Sequence, residues 1–550
     1  MRKWIGKGSG INTLRKNIMA KVLVDINVLL DDFLNRDEVC RGLMDKLVAS
    51  QSELFITASM AATLDYFLNK YEVDKSSFKR KFFGRFKIIT TSGFDALEAL
   101  DFEDGEDALI SLSFKRAAGE GIIITNDKDF PSNGVTVLTP KEALERPDIF
   151  SNENNNAIPM LDLKKQYHYL AEDIDNAVLK NIADARYILG PEVKELEDKI
   201  AVYLGVKHCI GASSGTEALV LSLRALAIKL KGREYFDKTD EIITTPFTFT
   251  ATGDVILRAG ATPVFVDIDP NTYNIEPAKI REYLIQNSKP ETRNQKQVVG
   301  IIPVHLYGQP CDMDEIMKIA EEYNLFVLED VAQAFGGTWK SKKLGSIGTA
   351  GAYSFFPSKN LGGYGDGGMA STNDDELAEL MRMLLKHGGK DKYNVEHIGY
   401  NARLDTLQAA ILLAKLKYID EFNERRKKIA EIYNKELSGI NGLTLPTSQL
   451  PNFPTSEYQD GHVYHQYTVR VRNGKRDALQ KHLQEKKIST MVYYPVPLHK
   501  MKVFEGRCRI SGSLEYAENA VKEVLSLPVE PLQSVEISEQ VAKSIKELKL

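Results

Sequence analysis

Long apolar runs are missing from this chain of 550 residues. No stretch approaches the roughly 18 residues that a bilayer-spanning helix needs, which excludes an integral membrane protein of the helical kind. The basic opening, Met1 to Ile18, contains no acid but also lacks the apolar core of a secretory signal. Cysteine is scarce: the 4 residues Cys40, Cys209, Cys311 and Cys508 are scattered singly and form neither a disulfide framework nor a zinc pattern. A large charge of one sign is also missing. Lys plus Arg number 71 against 76 Asp plus Glu, a net charge of −5, which argues against a surface dominated by polyanion binding. These absences, with a length too great for one ordinary core, point to a reduced, cytoplasmic, multidomain protein without membrane partners.

What is present is the balance of a globular chain, 43% hydrophobic and 27% charged. The clearest break in composition is Ser151-Asn-Glu-Asn-Asn-Asn156, whose side chains favour local turns over helix or strand. The chain therefore divides into an extension (1–18), an upstream module (19–148), a linker (149–157), a large downstream domain (158–415) and a smaller one (416–550).

The upstream module alternates strand and helix. Lys21–Val24, Glu53–Ile56, Lys87–Ile89 and Gly121–Thr125 are short and apolar, and Ala108–Ala118 reads as helix. Such strands joined by helices predict a parallel sheet covered on both faces. Downstream, strand-like runs at Glu241–Thr244, Pro263–Asp267, Val298–Pro303 and Phe326–Glu329 alternate with helices, and a mixed α+β pattern follows residue 415. This predicts a large α/β domain with a smaller α+β domain beside it.

Four downstream segments carry chemistry. In Ala212-Ser-Ser-Gly-Thr-Glu-Ala218, a glycine and a hydroxyl at a helix start offer free N–H groups and a favourable dipole to a phosphate, although a plain N-cap looks the same. Asp330, in Leu328-Glu-Asp-Val-Ala-Gln-Ala334, ends a buried strand. There it is either a helix cap or a ligand-facing carboxylate able to keep a pyridine nitrogen protonated. Lys359 stands among apolar and aromatic residues in Ser354-Phe-Phe-Pro-Ser-Lys-Asn360, with glycines soon after. Burial would lower its pKa and free a neutral amine for imine chemistry. Gly399-Tyr-Asn-Ala-Arg-Leu-Asp405 precedes an apolar helix over 406–416.

In this order the four segments resemble the DegT/DnrJ/StrS nucleotide-sugar aminotransferases, which have the pyridoxal-phosphate (PLP) fold type I. The resemblance extends over 158–550, through Ile158-Pro-Met-Leu-Asp-Leu163, Thr248-Phe-Thr-Ala-Thr252, His305-Leu-Tyr-Gly-Gln309 and Tyr493-Tyr-Pro-Val-Pro-Leu-His499. It implies that Lys359 is the Schiff-base lysine, that Asp330 is the partner of the pyridine nitrogen, and that Gln333 contacts the cofactor's phenolic oxygen. Phe249 would stack on the ring. Gly215, Thr216 and Ser354 would hold the phosphate, helped by Asn401 from the second subunit of a homodimer. The implied reaction moves an amino group, usually from glutamate, to a ketone at C3 of a UDP- or dTDP-linked sugar, for surface polysaccharide or lipopolysaccharide. Arg403 would pair with a uronate carboxylate or brace the dimer, and Tyr494 and His499 are candidate sugar contacts. Tyr493 stands where the uronate enzymes carry a histidine.

The upstream acids Asp25, Asp104, Asp107, Asp127 and Asp129 stand at predicted strand and helix ends. They are either turn and cap residues or a cluster able to hold Mg²⁺ or Mn²⁺. Val22-Leu-Val-Asp-Ile-Asn-Val-Leu-Leu30 and Thr125-Asn-Asp-Lys-Asp-Phe130 resemble a PIN-type ribonuclease, which implies RNA as a partner and Asp25, Asp107 and Asp127 as metal ligands. Thr63 stands where many relatives have a further acid. Asp65, two residues on, is turned by roughly 200° on a helix, so weak or absent nuclease activity is expected. The competing readings are a ribonuclease with the large domain as scaffold or regulator, and a non-catalytic dimer built on an inactive aminotransferase.

Overall fold

The computed structural model describes residues 157–287, 297–391, 393–446 and 461–548; upstream it describes 21–24, 43, 53–57, 86–89, 110, 114, 122–127, 130 and 136–145. The chain forms two compact units, Met1–Asn156 and Ala157–Leu550, and the division falls at the end of the polar Asn tract in the sequence.

The upstream unit holds five short strands: β1 (Lys21–Val24), β2 (Glu53–Thr57), β3 (Phe86–Ile89), β4 (Ile122–Ile124) and β5 (Thr136–Leu138). They form one sheet in the order β3-β2-β1-β4-β5, every pair parallel. Val22, Leu23, Val24, Leu54, Ile123 and Ile124 are fully buried, as expected of a sheet covered on both faces. Sequence pattern misses β5, three residues long, and the one-turn helix Pro140–Leu144 behind it. That helix starts at a reciprocal cap: Thr139 N–H donates to Glu142 Oε2 (2.8 Å) and Glu142 N–H to Thr139 Oγ1 (3.3 Å). β1 and β4 end side by side, Val24 paired with Ile124. Asp127 is exposed, directly after the bend at Asn126 that follows β4, and its N–H is bonded to Thr125 Oγ1 at 3.0 Å. Asp25, Thr63, Asp65, Asp104, Asp107 and Asp129 lie outside the described residues. Among the described residues, no group of three or more His, Cys, Asp or Glu could hold a metal, and no helix is long and apolar enough to cross a membrane.

The downstream unit is built on an eight-stranded sheet. Its strands are β6 (His208–Ala212), β7 (Asp240–Thr244), β8 (Thr262–Phe265), β9 (Gln297–Ile301), β10 (Phe326–Asp330), β13 (Ala350–Ser354), β14 (Gly368–Thr372) and β17 (Arg509–Ile510). β11 (Thr338–Trp339) and β12 (Lys342–Lys343) form a separate hairpin. The order is β17-β8-β7-β9-β10-β13-β14-β6, and only β14 runs against the others. Because successive strand residues face opposite ways, Ile243 and Val327 enter one core while Ile242 and Leu328 enter the other. The first core is covered by helices including Pro191–Leu204 and Met313–Tyr323, the second by Gly215–Lys231 and Asp375–Leu384. The result is a three-layer arrangement, within the α/β class expected from the sequence. β13 and β14 escape sequence pattern because both are rich in Gly, Ala and Ser.

The smaller part is an antiparallel sheet of β15 (Leu443–Thr444), β16 (Tyr467–Val471) and β18 (Val524–Leu527), packed by the helices Ile419–Leu437, Arg476–Glu485 and Val535–Lys546. One correction to the sequence division follows. Ile158, at the start of the downstream unit, belongs to this second core and not to the large domain. Its N–H donates to Lys487 O and its C=O accepts from Ser489 N–H, each at 2.8 Å. Its side chain is 7% exposed. Ile158→Ala should therefore cost about 2–4 kcal/mol, read as a lower denaturant midpoint of the C-terminal unit. An unchanged midpoint would place Ile158 outside that core.

Candidate active site

The parallel strands end along one edge of the large sheet, the edge at which α/β folds place ligands. Strand register aligns the relevant ends. Asp330 is paired with Ala352, two residues before Ser354, and Gly368 is paired with both Ser354 and Ala212. From Ala212 the chain passes through Ser213, whose N–H donates to Ala402 O (2.7 Å), into the helix Gly215–Lys231. Ser214 caps this helix, its Oγ accepting from Glu217 N–H at 3.1 Å. The first N–H groups of such a helix have no intrahelical acceptor and point into the edge. Two glycines let the helix start sit against the strand ends. A Cβ at Gly215 would stand 2.7 Å from Ser354 Cβ, and one at Gly368 would stand 2.3 Å from the carbonyl carbon of Ser214. Gly215, Thr216 and Ser354 thus form a cradle bounded by N–H groups and hydroxyls.

Asp330 is buried at 4% exposure. No helix begins behind it, so the capping alternative does not apply. Its Oδ2 accepts from Thr252 Oγ1 (2.8 Å) and its Oδ1 from Ala332 N–H (3.1 Å). Burial raises its pKa, while those two donors and the nearby Lys359 and His305 pull it back. Lys359 is half-buried, its N–H closing a turn onto Phe356 O at 2.8 Å. Burial lowers its pKa to about 8 against the opposing pull of Asp330. The next residue, Asn360, holds a neutral imidazole: His465 Nδ1 lies 3.0 Å from Asn360 Oδ1. An amide oxygen only accepts, so Nδ1 carries the proton, and burial followed by Lys359 holds His465 well below the usual imidazole range.

The aromatic residues gather beside this pair. Phe249, at the start of the helix Thr250–Arg258, is 57% exposed despite its apolar ring. Its ring centroid lies 6.1 Å from that of Tyr494. Gln333 is held at both ends: Oε1 accepts from Tyr307 N–H (2.7 Å) and Nε2 donates to Tyr494 OH (2.8 Å). Burial raises the pKa of Tyr494, so its hydroxyl stays protonated. Tyr307 OH in turn donates to Tyr493 O.

The remaining sequence candidates are distributed differently. Arg403 pairs by backbone with Ala212, next to the cradle, and its Nε is buried with no acceptor. Asn401 is exposed. His499 is bound through Nε2 to Glu518 Oε1 at 2.9 Å and lines a cleft with Lys500, Ser513 and Asn519, a wall that includes none of Lys359, Asp330 and Tyr494. Sequence reading overlooked Thr252, Tyr307 and His465. The first two lay inside recognised motifs without an assigned role. His465 has no local signal, because its pairing with Asn360 spans 105 residues.

A cradle at a helix start, a carboxylate at a strand end and a lowered-pKa lysine on an αβα sandwich define the fold type I class of PLP-dependent aminotransferases. Residues 168–546 match the DegT/DnrJ/EryC1/StrS aminotransferase family, and the chain belongs to it. It is 46% identical over 390 residues to the pleiotropic regulatory protein of Geobacillus stearothermophilus, covering 71% of this chain and 98% of that one. It is 40% identical over 374 residues to a UDP-2-acetamido-2-deoxy-3-oxo-D-glucuronate aminotransferase of Pseudomonas aeruginosa, covering 68% and 95%. Among solved structures, NtdA of Bacillus subtilis with bound cofactor PMP superposes with a TM-score of 0.63 at 28% identity, covering 76% and 94%.

The Lys359 environment has a pH signature. Because the folded-state pKa is below that of the unfolded lysine, the buried charge destabilises the fold fully below about pH 8, and this cost is relieved as pH rises from there toward 10.5. Acylation of Lys359 in the cofactor-free protein, followed by peptide mass spectrometry, should accelerate with a midpoint near pH 8. A midpoint near 10.5 would show an ordinary solvated lysine.

Proposed function

We propose that residues 157–550 transfer an amino group, from glutamate as donor, to a ketone at C3 of a UDP- or dTDP-linked 3-oxo sugar, in a route to surface polysaccharide or lipopolysaccharide. The observation that carries this reading is the lowered-pKa Lys359 facing the buried Asp330 beside the Gly215–Ser354 cradle. These residues suit PLP. The cradle is closed to any side chain at Gly215 and rich in N–H donors for a phosphate. Exposed Phe249 offers a ring face. Asp330 offers a carboxylate, held by hydrogen bonds from Thr252 and Ala332, to a pyridine nitrogen.

When bound, PLP would supply a carrier for the amino group and an electron sink for the carbon that loses a proton. Lys359 both anchors the cofactor and carries that proton. With a pKa of about 8, roughly a quarter of the amine is neutral at pH 7.5, against about one part in a thousand for an ordinary lysine. Gln333, fixed by Tyr307 and Tyr494, would present its amide to the cofactor's phenolic oxygen. Arg403, with Nε lacking an acceptor, offers a bidentate cation to a uronate carboxylate. Tyr494 closes the sugar side, and His499 with its separate cleft serves the outer part of the nucleotide-sugar.

We place the active unit as a homodimer. Tyr187, Ile188, Leu189, Phe356, Val395 and Ile398 are each 45–62% exposed. Such apolar exposure suits a second copy, and exposed Asn401 would then reach the partner's cradle. For the upstream unit, the all-parallel sheet supports a PIN-like fold. With Asp127 beyond β4 and Asp25 and Asp107 as further ligands for Mg²⁺ or Mn²⁺, slow cleavage of RNA is its expected limit.

The deciding experiment supplies keto nucleotide-sugars, with and without a uronate carboxylate, together with glutamate, and reads the amino product by mass spectrometry. Lys359→Ala should abolish turnover in a folded protein, and residual turnover above a trace would remove the lysine from its role. Mixing inactive Asn401 and Lys359 variants should restore part of the activity, because one site in the mixed dimer is free of both changes. Full activity in a monomer would refute sharing.

A further inference from the structure

One buried carboxylate next to the site is used by none of the chemistry above. Glu329 precedes Asp330 on β10, and alternation along the strand turns it to the opposite face. It is 0% exposed. Its Oε1 accepts from Ile347 N–H (2.8 Å) and Gly348 N–H (2.7 Å). Its Oε2 accepts from Gly345 N–H (2.8 Å) and faces His305 Nε2 (3.1 Å). His305, also fully buried, receives Cys311 N–H on Nδ1 at 3.0 Å. A backbone amide can only donate, so Nδ1 is bare and the imidazole proton sits on Nε2, pointing at Glu329. All four acceptor positions of the carboxylate are filled by donors.

The three segments that converge here lead to three parts of the proposed cofactor site. His305 N–H donates to Asp330 O (3.1 Å), while Asp330 N–H donates to Pro303 O (2.9 Å). Two residues after His305, Tyr307 N–H fixes Gln333 Oε1. The 345–348 turn leads directly into β13, which ends at Ser354 and continues to Lys359. That turn depends on glycine: Gly345 has φ +84°, and a Cβ at Gly348 would stand 2.6 Å from Val327 O.

We propose that Glu329 and His305 are positioning residues for the cofactor. Their linked bonds hold Asp330, Gln333 and the Lys359 segment in one relative setting from behind the sheet. This inference rests on the reading of the Lys359 crevice as a PLP site. A wild-type protein that takes up PLP with a visible absorption band fixed by borohydride establishes that reading independently of any variant.

The test compares His305→Gln with His305→Leu in the full chain. Glutamine keeps one acceptor for Cys311 N–H and one donor for Glu329; leucine keeps neither. Each variant is checked for folding by circular dichroism, and PLP affinity and the visible band are then measured by titration. The expected result is that His305→Leu binds PLP at least tenfold more weakly with a shifted band, whereas His305→Gln stays within about threefold of wild type. Glu329→Gln, which must turn an NH₂ toward backbone donors, should match His305→Leu or exceed it. A folded His305→Leu with wild-type affinity and band would overturn the proposal, as would equal losses in the leucine and glutamine variants. If His305→Leu fails to fold, Glu329→Gln is read in its place, and an unaltered affinity and band there overturn it equally.

Discussion

The site depends on bringing together a buried acid at the end of β10 and a lysine just beyond the end of its neighbour β13. Burial alone drives Asp330 toward its neutral form and Lys359 toward its own. Each residue limits the other's shift, and hydrogen bonds decide the remaining balance. Thr252 and Ala332 donate to Asp330 and favour its charge, whereas the Lys359 charge is favoured by the nearby Asp330 carboxylate. The arrangement suits a carboxylate held in place beside a titratable base, the pair an amino-transfer site requires.

Backbone geometry makes the pairing affordable in space. A parallel sheet carries all its strand ends to one edge, and register sets Ser354, Gly368 and Ala212 side by side across three strands. Only the absence of side chains at Gly215 and Gly368 lets the helix Gly215–Lys231 start there. A larger residue at either place would push the helix away and enlarge the cradle beyond a phosphate's reach, so the glycines set the spacing as firmly as the chemical groups do.

Much of this was legible beforehand. Asp330 and Lys359 stand out because an acid ending an apolar strand, and a lysine amid aromatics, are unusual by composition alone. The strands β7, β8, β9 and β10 follow from apolar runs between helices. The illegible parts are those set by distant partners. β13 and β14 are built of Gly, Ala and Ser, which earn strand geometry only from neighbours in the sheet. Ile158 joins the second core through pairing with Ile488, 330 positions away, which no local pattern encodes. The His465–Asn360 bond is hidden in the same way.

The neighbouring acids of β10 show why sequence can name a chemical residue and still miss its support. Glu329 and Asp330 look alike in the chain, and both are buried. Strand alternation separates them by a whole face. Glu329 meets four donors, three of them backbone N–H groups, which saturate it and leave nothing for a ligand. Asp330 meets two, so it keeps acceptor capacity toward the crevice. The number of donors each one meets, rather than residue type, assigns one carboxylate to holding the fold and the other to holding a ligand. For Glu329 that number is fixed by His305 and the 345–348 turn, and for Asp330 by Thr252 and the turn at Ala332, none of them readable from the strand pattern that shows the two acids.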